Sequence, residues 1–109
     1  VENAATLGEY TLERLNLLKA EHSTIGDVRG RGLLIGVELV LNKEDKTPAN
    51  DLAEEVLYRS LSKGLSFKLT MGNVLTLTPP LIITKTQIDL SLKIISDSLK
   101  EAEQALGLV

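Results

Sequence analysis

The residues able to do chemistry are few and scattered. His22 is the single histidine. It follows an amphipathic stretch, where the negative pole of a helix favours a cation. No second acid, base or nucleophile stands near it in sequence, so a helix-end role is expected rather than a catalytic one. Arg29-Gly30-Arg31-Gly32 offers two guanidinium groups and backbone amides that could hold an anion. The run lacks the Gly-Lys-Ser/Thr ending of a phosphate loop and does not open a helix. The plainer expectation is a strand-to-strand turn whose arginines pair with Asp27 or Glu38. Glu38 interrupts an apolar run, and a carboxylate there needs a partner, which Arg29 or Arg31 can supply. No paired carboxylates, no Ser/His/Asp set and no metal-ligand cluster can be assembled from the residue types. The lysines, among them Lys43, Lys46, Lys63 and Lys68, lack the apolar surroundings that lower a pKa and make a nucleophile.

The elements that would position these groups follow from composition and period. With 109 residues, 43% of them hydrophobic, the chain suits one domain. A formal net charge of −3 without a basic stripe argues against a nucleic-acid partner. Cysteine is absent, which removes disulfides and thiolate sites and fits a reducing, cytoplasmic setting. No apolar run approaches the roughly 20 residues of a membrane span, so no membrane partner is expected. The chain opens at Val1 directly in helical pattern, as a piece cut from something longer would.

Asn3 is placed to cap a helix running to about Glu21, with Ala4, Leu7, Leu15 and Leu18 on one side and Thr11 and Leu12 at the seam. Gly8 either weakens this helix or allows close packing. Ile25–Gly30 and Leu33–Leu41 read as two strands kinked or joined at Gly30 and Gly32. Residues 42–50 are polar and read as an exposed loop without a core residue. Asp51 or Asn50 then caps a helix to Lys63, with Leu52, Ala53, Val56, Leu57 and Leu61 as its apolar face and Gly64 at its C-terminal end. Leu65–Leu69 and Val74–Thr78 alternate as strands around the turn Met71-Gly72-Asn73. Val74, Thr76 and Thr78 share one face of the second, Leu75 and Leu77 the other. Pro79-Pro80 ends pairing, and Leu81-Ile82-Ile83 is a short apolar extension. Thr84-Lys85-Thr86-Gln87 fits a capping box, with Ile83 and Ile88 as a hydrophobic staple. Ile88, Leu92, Ile95, Leu99, Ala102 and Leu106 then form one stripe up to Gly107. The order predicts an α+β fold: a small antiparallel or mixed sheet with helices packed on one face.

Two stretches carry a resemblance. Ile25–Leu39, IGDVRGRGLLIGVEL, resembles the opening of the C-terminal small domain of class III (ornithine/4-aminobutyrate type) pyridoxal-phosphate aminotransferases. Gly72-Asn73-Val74-Leu75, then Pro79-Pro80-Leu81 and a last amphipathic helix, resembles the end of the same enzymes, and the first helix ending in Glu21-His22 matches what precedes the domain. The resemblance implies that residues 1–109 are a fragment, the small domain of a fold-type I enzyme. The pyridoxal 5'-phosphate, its lysine, its phosphate cup and its pyridine partner would belong to a large N-terminal domain. Catalytic, cofactor-binding and metal-binding residues are accordingly none here, no cofactor is expected on the fragment, and the fragment alone is expected to be inactive. The full-length enzyme would be a homodimer moving an amino group from an amino acid, or a 4-aminobutyrate-like ω-amino acid or amine, to a 2-oxo acid. Many members carry an arginine before the double proline that grips a substrate carboxylate. Here Thr76 holds that position, so the resemblance implies a substrate-adjacent residue without the charge. The alternative is a self-standing α+β binding or dimerisation module, since a shared architecture does not decide function.

Overall fold

The computed structural model describes residues 2–79 and 83–109. Three helices, α1 (Glu2–Glu21), α2 (Asn50–Ser62) and α3 (Lys85–Ala105), are interleaved with four strands, β1 (Ile25–Arg31), β2 (Leu34–Leu39), β3 (Lys68–Thr70) and β4 (Val74–Leu77). The strands form one sheet in the order β1-β2-β4-β3 with every pair antiparallel. The α+β expectation holds, and the sheet is antiparallel rather than mixed.

Period-two alternation divides the sheet into two faces. Ile35, Val37 and Leu39 of β2 and Leu75 of β4 are buried in one core with Leu15 of α1, Val56 of α2, and Ile95 and Leu99 of α3. The alternate residues Leu34, Gly36, Glu38 and Thr76 point to the other face and are exposed or half-exposed. Leu33 stays in the turn yet is buried, Val40 forms only an isolated bridge with Pro48, and Leu41 lies outside the strand.

In α1, Leu7, Thr11 and Leu15 are buried, and Leu12 and Leu18 are half-buried. The Thr11 hydroxyl donates to the Leu7 carbonyl at 2.7 Å, which satisfies it inside the core. The helix begins at Glu2, so Asn3 lies within its first turn rather than at a cap. The side chains of Asn3 and Ala4 lie outside the described residues. Gly8 is a packing glycine: a Cβ there would stand 2.1 Å from the Gly32 carbonyl oxygen. Of the two turn glycines, Gly32 has a left-handed φ of 59°, and Gly30 does not.

The polar loop before α2 does bury a residue. Ala49 is 2% exposed. Its amide donates to the Leu39 carbonyl at 3.1 Å, and Leu41 donates to Thr47 at 2.8 Å. These bonds stitch the loop to the end of β2 and fold Ala49 beneath it. Ala49 is also the N-cap of α2, without a side-chain cap bond, so neither Asn50 nor Asp51 has the capping role expected of it.

Leu52, Ala53 and Val56 of α2 are buried as expected and Leu57 is half-buried, but Leu61 is 53% exposed and Ser60 is buried in its place. The helix packs along α3, which also buries a serine, Ser98. Among the described residues neither hydroxyl has a hydrogen-bond partner. A buried hydroxyl without a partner costs about 1–3 kcal/mol. Ser60→Ala removes that cost and improves helix propensity. It should raise the stability of the chain by about 1 kcal/mol, read as a higher urea midpoint at unchanged slope.

Both α2 and α3 end in paired backbone bonds around a glycine of positive φ. Leu65 donates to Ser60 and Gly64 to Leu61, at 2.9 and 3.0 Å; Leu108 donates to Glu103 and Gly107 to Gln104, at 2.8 and 3.2 Å. This is the Schellman arrangement. It occupies the Leu65 amide, which is one reason β3 starts at Lys68 rather than at Leu65. The turn Met71-Gly72-Asn73 is as expected, with Asn73 Nδ2 holding the Leu39 carbonyl at 2.9 Å.

The start of α3 matches its sequence signature. Thr84 Oγ1 accepts from the Gln87 amide at 3.2 Å, and Gln87 Oε1 accepts from the Thr84 amide at 2.9 Å. The stripe Ile88, Leu92, Ile95, Leu99 and Ala102 is buried, but Leu106 falls on the C-cap and is 40% exposed. Ile83, the other half of the staple, is half-buried against the core. Pro80, Leu81 and Ile82 lie outside the described residues.

Candidate functional site

The helix-free face of the sheet brings together most of the groups singled out in the sequence. Register places Arg29 of β1 beside Gly36 of β2, Gly36 beside Thr76 of β4, and Thr76 beside Lys68 of β3. An open concavity of about 400 Å³ lies over this row, lined among others by Arg29, Arg31, Gly36, Thr70, Val74 and Thr76. Thr76 is half-buried, and its hydroxyl is 2.9 Å from that of Thr70. Adjacent strands thus present two hydroxyls side by side, with one proton of the pair free to point at a ligand.

Arg29 is already engaged. Its Nη1 donates to Asp27 Oδ2 at 2.9 Å and to Glu38 Oε1 at 3.1 Å. The Glu38 and Asp27 hydrogen bonds hold the guanidinium above its usual range. For Asp27, burial works against the charged form, but the Arg29 hydrogen bond and charge outweigh it and keep the carboxyl below its usual range. The expected ion pairing of Arg29 with Asp27 and Glu38 is therefore present, and Glu38 is half-exposed rather than buried. Arg31 is exposed and takes part in none of the ion pairs among the described residues. The row offers a ligand a shaped concavity and a pair of hydroxyls. It has no acid, base or nucleophile arranged for a reaction, and the described residues hold no group of side chains suited to a metal ion.

His22 lies elsewhere, and it does have partners. Its Nδ1 is 3.0 and 3.1 Å from the two carboxylate oxygens of Glu103, and the Thr24 hydroxyl donates to Glu103 Oε2 at 2.6 Å. The His22 and Glu103 side chains are 11% and 3% exposed. Against an ionised carboxylate, which can only accept, Nδ1 must carry the proton. The expectation of an isolated helix-end histidine is thus corrected: the ends of α1 and α3 meet here around a buried carboxylate. Glu103 was missed because the apolar stripe was continued to Leu106. It stands four residues after Leu99, on the buried side of α3, and an acid at that spacing was the available signal. The cluster joins the ends of the two helices through these contacts.

The architecture and the motifs can be compared with known proteins. A family model described as class-III aminotransferase matches residues 1–99. The (R)-1-hydroxy-2-aminoethylphosphonate ammonia-lyase of Vibrio splendidus is 49% identical over 85 residues, which cover 78% of this chain and 18% of that protein. The leucine/methionine racemase of Thermococcus litoralis is 40% identical over 104 residues, 95% of this chain and 24% of that protein. The omega transaminase of Pseudomonas jessenii, solved in complex with PMP, superposes with a TM-score of 0.91 at 27% identity, over 99% of this chain and 24% of that one. The chain therefore spans under a quarter of the length of these relatives. With the family model running through both hairpins and most of the last helix, the chain belongs to the class-III aminotransferase family.

Proposed function

We propose that these residues form the C-terminal small domain of a larger pyridoxal-phosphate enzyme that transfers the amino group of an amino acid, ω-amino acid or amine to a 2-oxo acid. One observation carries this reading: nearly the whole chain superposes on a transaminase bound to PMP, yet it accounts for only 24% of that protein. The partner is then the large N-terminal domain of the same protein, the assembly a homodimer and the compartment the cytoplasm. Among the described residues, no helix is long and apolar enough to cross a membrane.

The chain's own lysines do not fit the role of holding the cofactor aldehyde. Lys63 pairs with Glu101 and Lys93 with Asp97, Lys43 donates to the Lys19 carbonyl, and Lys85 lies 4.5 Å from the centroid of the Tyr10 ring. Lys46, Lys68 and Lys100 are exposed. No reaction step is assigned to them. The contribution of this domain is to front the substrate with Thr76, whose hydroxyl supplies no charge. Arg29 is held by Asp27 and Glu38 and is not free to take over the grip. Arg31 and Lys68, exposed and in none of the ion pairs among the described residues, are the cations this face leaves for a substrate anion.

A second reading is favoured by the ammonia-lyase at 49% identity and the racemase at 40%. The full-length protein could act on the same amino group by elimination or by inversion. One experiment separates the three. The full-length protein, loaded with pyridoxal 5'-phosphate, is given an amino compound with and without 2-oxoglutarate or pyruvate. Transfer yields a new amino acid only with the oxo acid, elimination releases ammonia without it, and inversion changes optical rotation alone. The expected result is transfer, with none of the three activities in the 109-residue chain by itself. Turnover by the isolated chain would overturn the small-domain reading.

A further inference from the structure

Gly36 sits at the centre of the helix-free face for no reason internal to the domain. It lies inside β2, and a glycine there weakens a strand unless a bulge, a bend or a close approach requires it. The register with β1 and with β4 is unbroken on both sides of Gly36; the one irregularity is between Ile25 and Asp27. Its φ is not positive. Among the described residues no neighbour fills the space of its missing side chain, because a Cβ would meet only Val74 Cγ1 at 3.4 Å and Arg29 Cγ at 3.9 Å, which is ordinary contact. The contrast with Gly8 is direct, since there the domain's own backbone occupies the space. What remains is close approach by something above the sheet. The open concavity lies there, between the pinned Arg29 and the Thr70–Thr76 hydroxyl pair.

We propose that Gly36 is a specificity-determining residue. Its bare backbone sets the depth of the concavity beside Thr76 and so the size of the non-reacting end that a substrate can place there. The inference rests on the reading that this face fronts the substrate. A β-branched side chain at this position fills the floor between Arg29 and Thr76. Bulky substrates lose room, and small ones lose less.

The test uses the full-length holoenzyme and its Gly36→Ala, Gly36→Val and Thr76→Val variants. Each is mixed with alanine, leucine and phenylalanine, and kcat/KM is read from the absorbance change of the bound coenzyme. Coenzyme retention and the melting temperature are recorded alongside. The expected result is a fall in the leucine-to-alanine or phenylalanine-to-alanine ratio of kcat/KM by roughly tenfold or more in Gly36→Val, the scale of a methylene or two in a shaped pocket. A smaller fall is expected in Gly36→Ala, with coenzyme retention and melting temperature unchanged in Gly36→Ala. Unchanged ratios in both Gly36 variants, with a changed ratio in Thr76→Val, would overturn the role of Gly36 and leave the face reading standing. Unchanged ratios in all three variants would overturn both. If Gly36→Ala sheds the coenzyme or melts early, protein rather than substrate covers Gly36, and the proposal fails.

Discussion

Gly8→Ala should destabilise the domain by about 2–3 kcal/mol, the upper part of the range for forcing atoms into a filled space. Helix propensity alone predicts the reverse. Alanine in a helix interior is about 1 kcal/mol better than glycine, and Gly8 lies well inside α1. The sign is decided by what the new carbon meets. It would stand 2.1 Å from the Gly32 carbonyl oxygen and 2.7 Å from the Gly32 carbonyl carbon. These are backbone atoms of the β1–β2 turn, held there by a left-handed φ of 59° and by the ladder on either side. They cannot swing aside as a side-chain tip would, so α1 must lift from the hairpin. Lifting it separates Leu7 and Leu15 from the core they share with Ile35. Urea unfolding of the 109-residue chain measures the effect. A variant as stable as the parent would mean that helix and turn do not touch. Gly8→Val should be worse than Gly8→Ala, because it adds volume and loses propensity together.

The second large effect is expected at His22. Glu103 is buried near the C-terminal end of α3, where the helix's own dipole disfavours a negative charge. It is compensated by His22 Nδ1 and the Thr24 hydroxyl. His22→Ala removes one partner and leaves the carboxylate with a single neutral donor. Leaving a buried acceptor short of a partner costs about 1–3 kcal/mol, more when the acceptor is charged. The remaining Thr24 bond keeps the loss near the top of that range, about 2–3 kcal/mol. Removing the charge instead, with Glu103→Gln, keeps the shape and should cost less than half of that. A double-mutant cycle isolates the pairing: the loss from His22→Ala should shrink markedly in the Glu103→Gln background. Equal losses in the two backgrounds would mean that His22 acts by packing alone.

These two positions also mark the limits of reading the chain from its residues. Local chemistry was legible. The Thr84–Gln87 box, the glycine ends of α2 and α3, and the alternation that puts Thr76 opposite Leu75 each depend on neighbours within a few residues. The pairing of Arg29 with Asp27 and Glu38 was legible too, because the three lie on two strands joined by a short turn. Long-range closure was not. Nothing near Gly8 in sequence announces Gly32 as its neighbour. Glu103 drew no reading from the sequence because its partners, His22 and Thr24, lie at the far end of the chain. Ala49 was hidden inside a polar run whose hydrogen bonds to β2 turn it inward. Leu61 and Ser60 exchanged roles because α2 lies along α3, where a small side chain lets two helices approach, and a residue-by-residue hydropathy reading prefers the leucine. The site shows the same division. Thr76 could be placed on a face by alternation, whereas the row from Arg29 to Lys68 exists only once four strands are in register.

The strand order has a consequence for how the domain holds together. Each outer strand is joined to its inner neighbour by a tight reversal, β1 to β2 through Gly32 and β3 to β4 through Met71-Gly72-Asn73. Such reversals zip up on the microsecond scale. The seam between β2 and β4 is different, since it matches Val37 with Leu75 across the whole length of α2 and its flanking loops. Two quickly made ribbons therefore wait on one slow junction. That junction lies in the middle of the sheet, so it is where the two ribbons are joined by backbone hydrogen bonds and where their packing must be completed last.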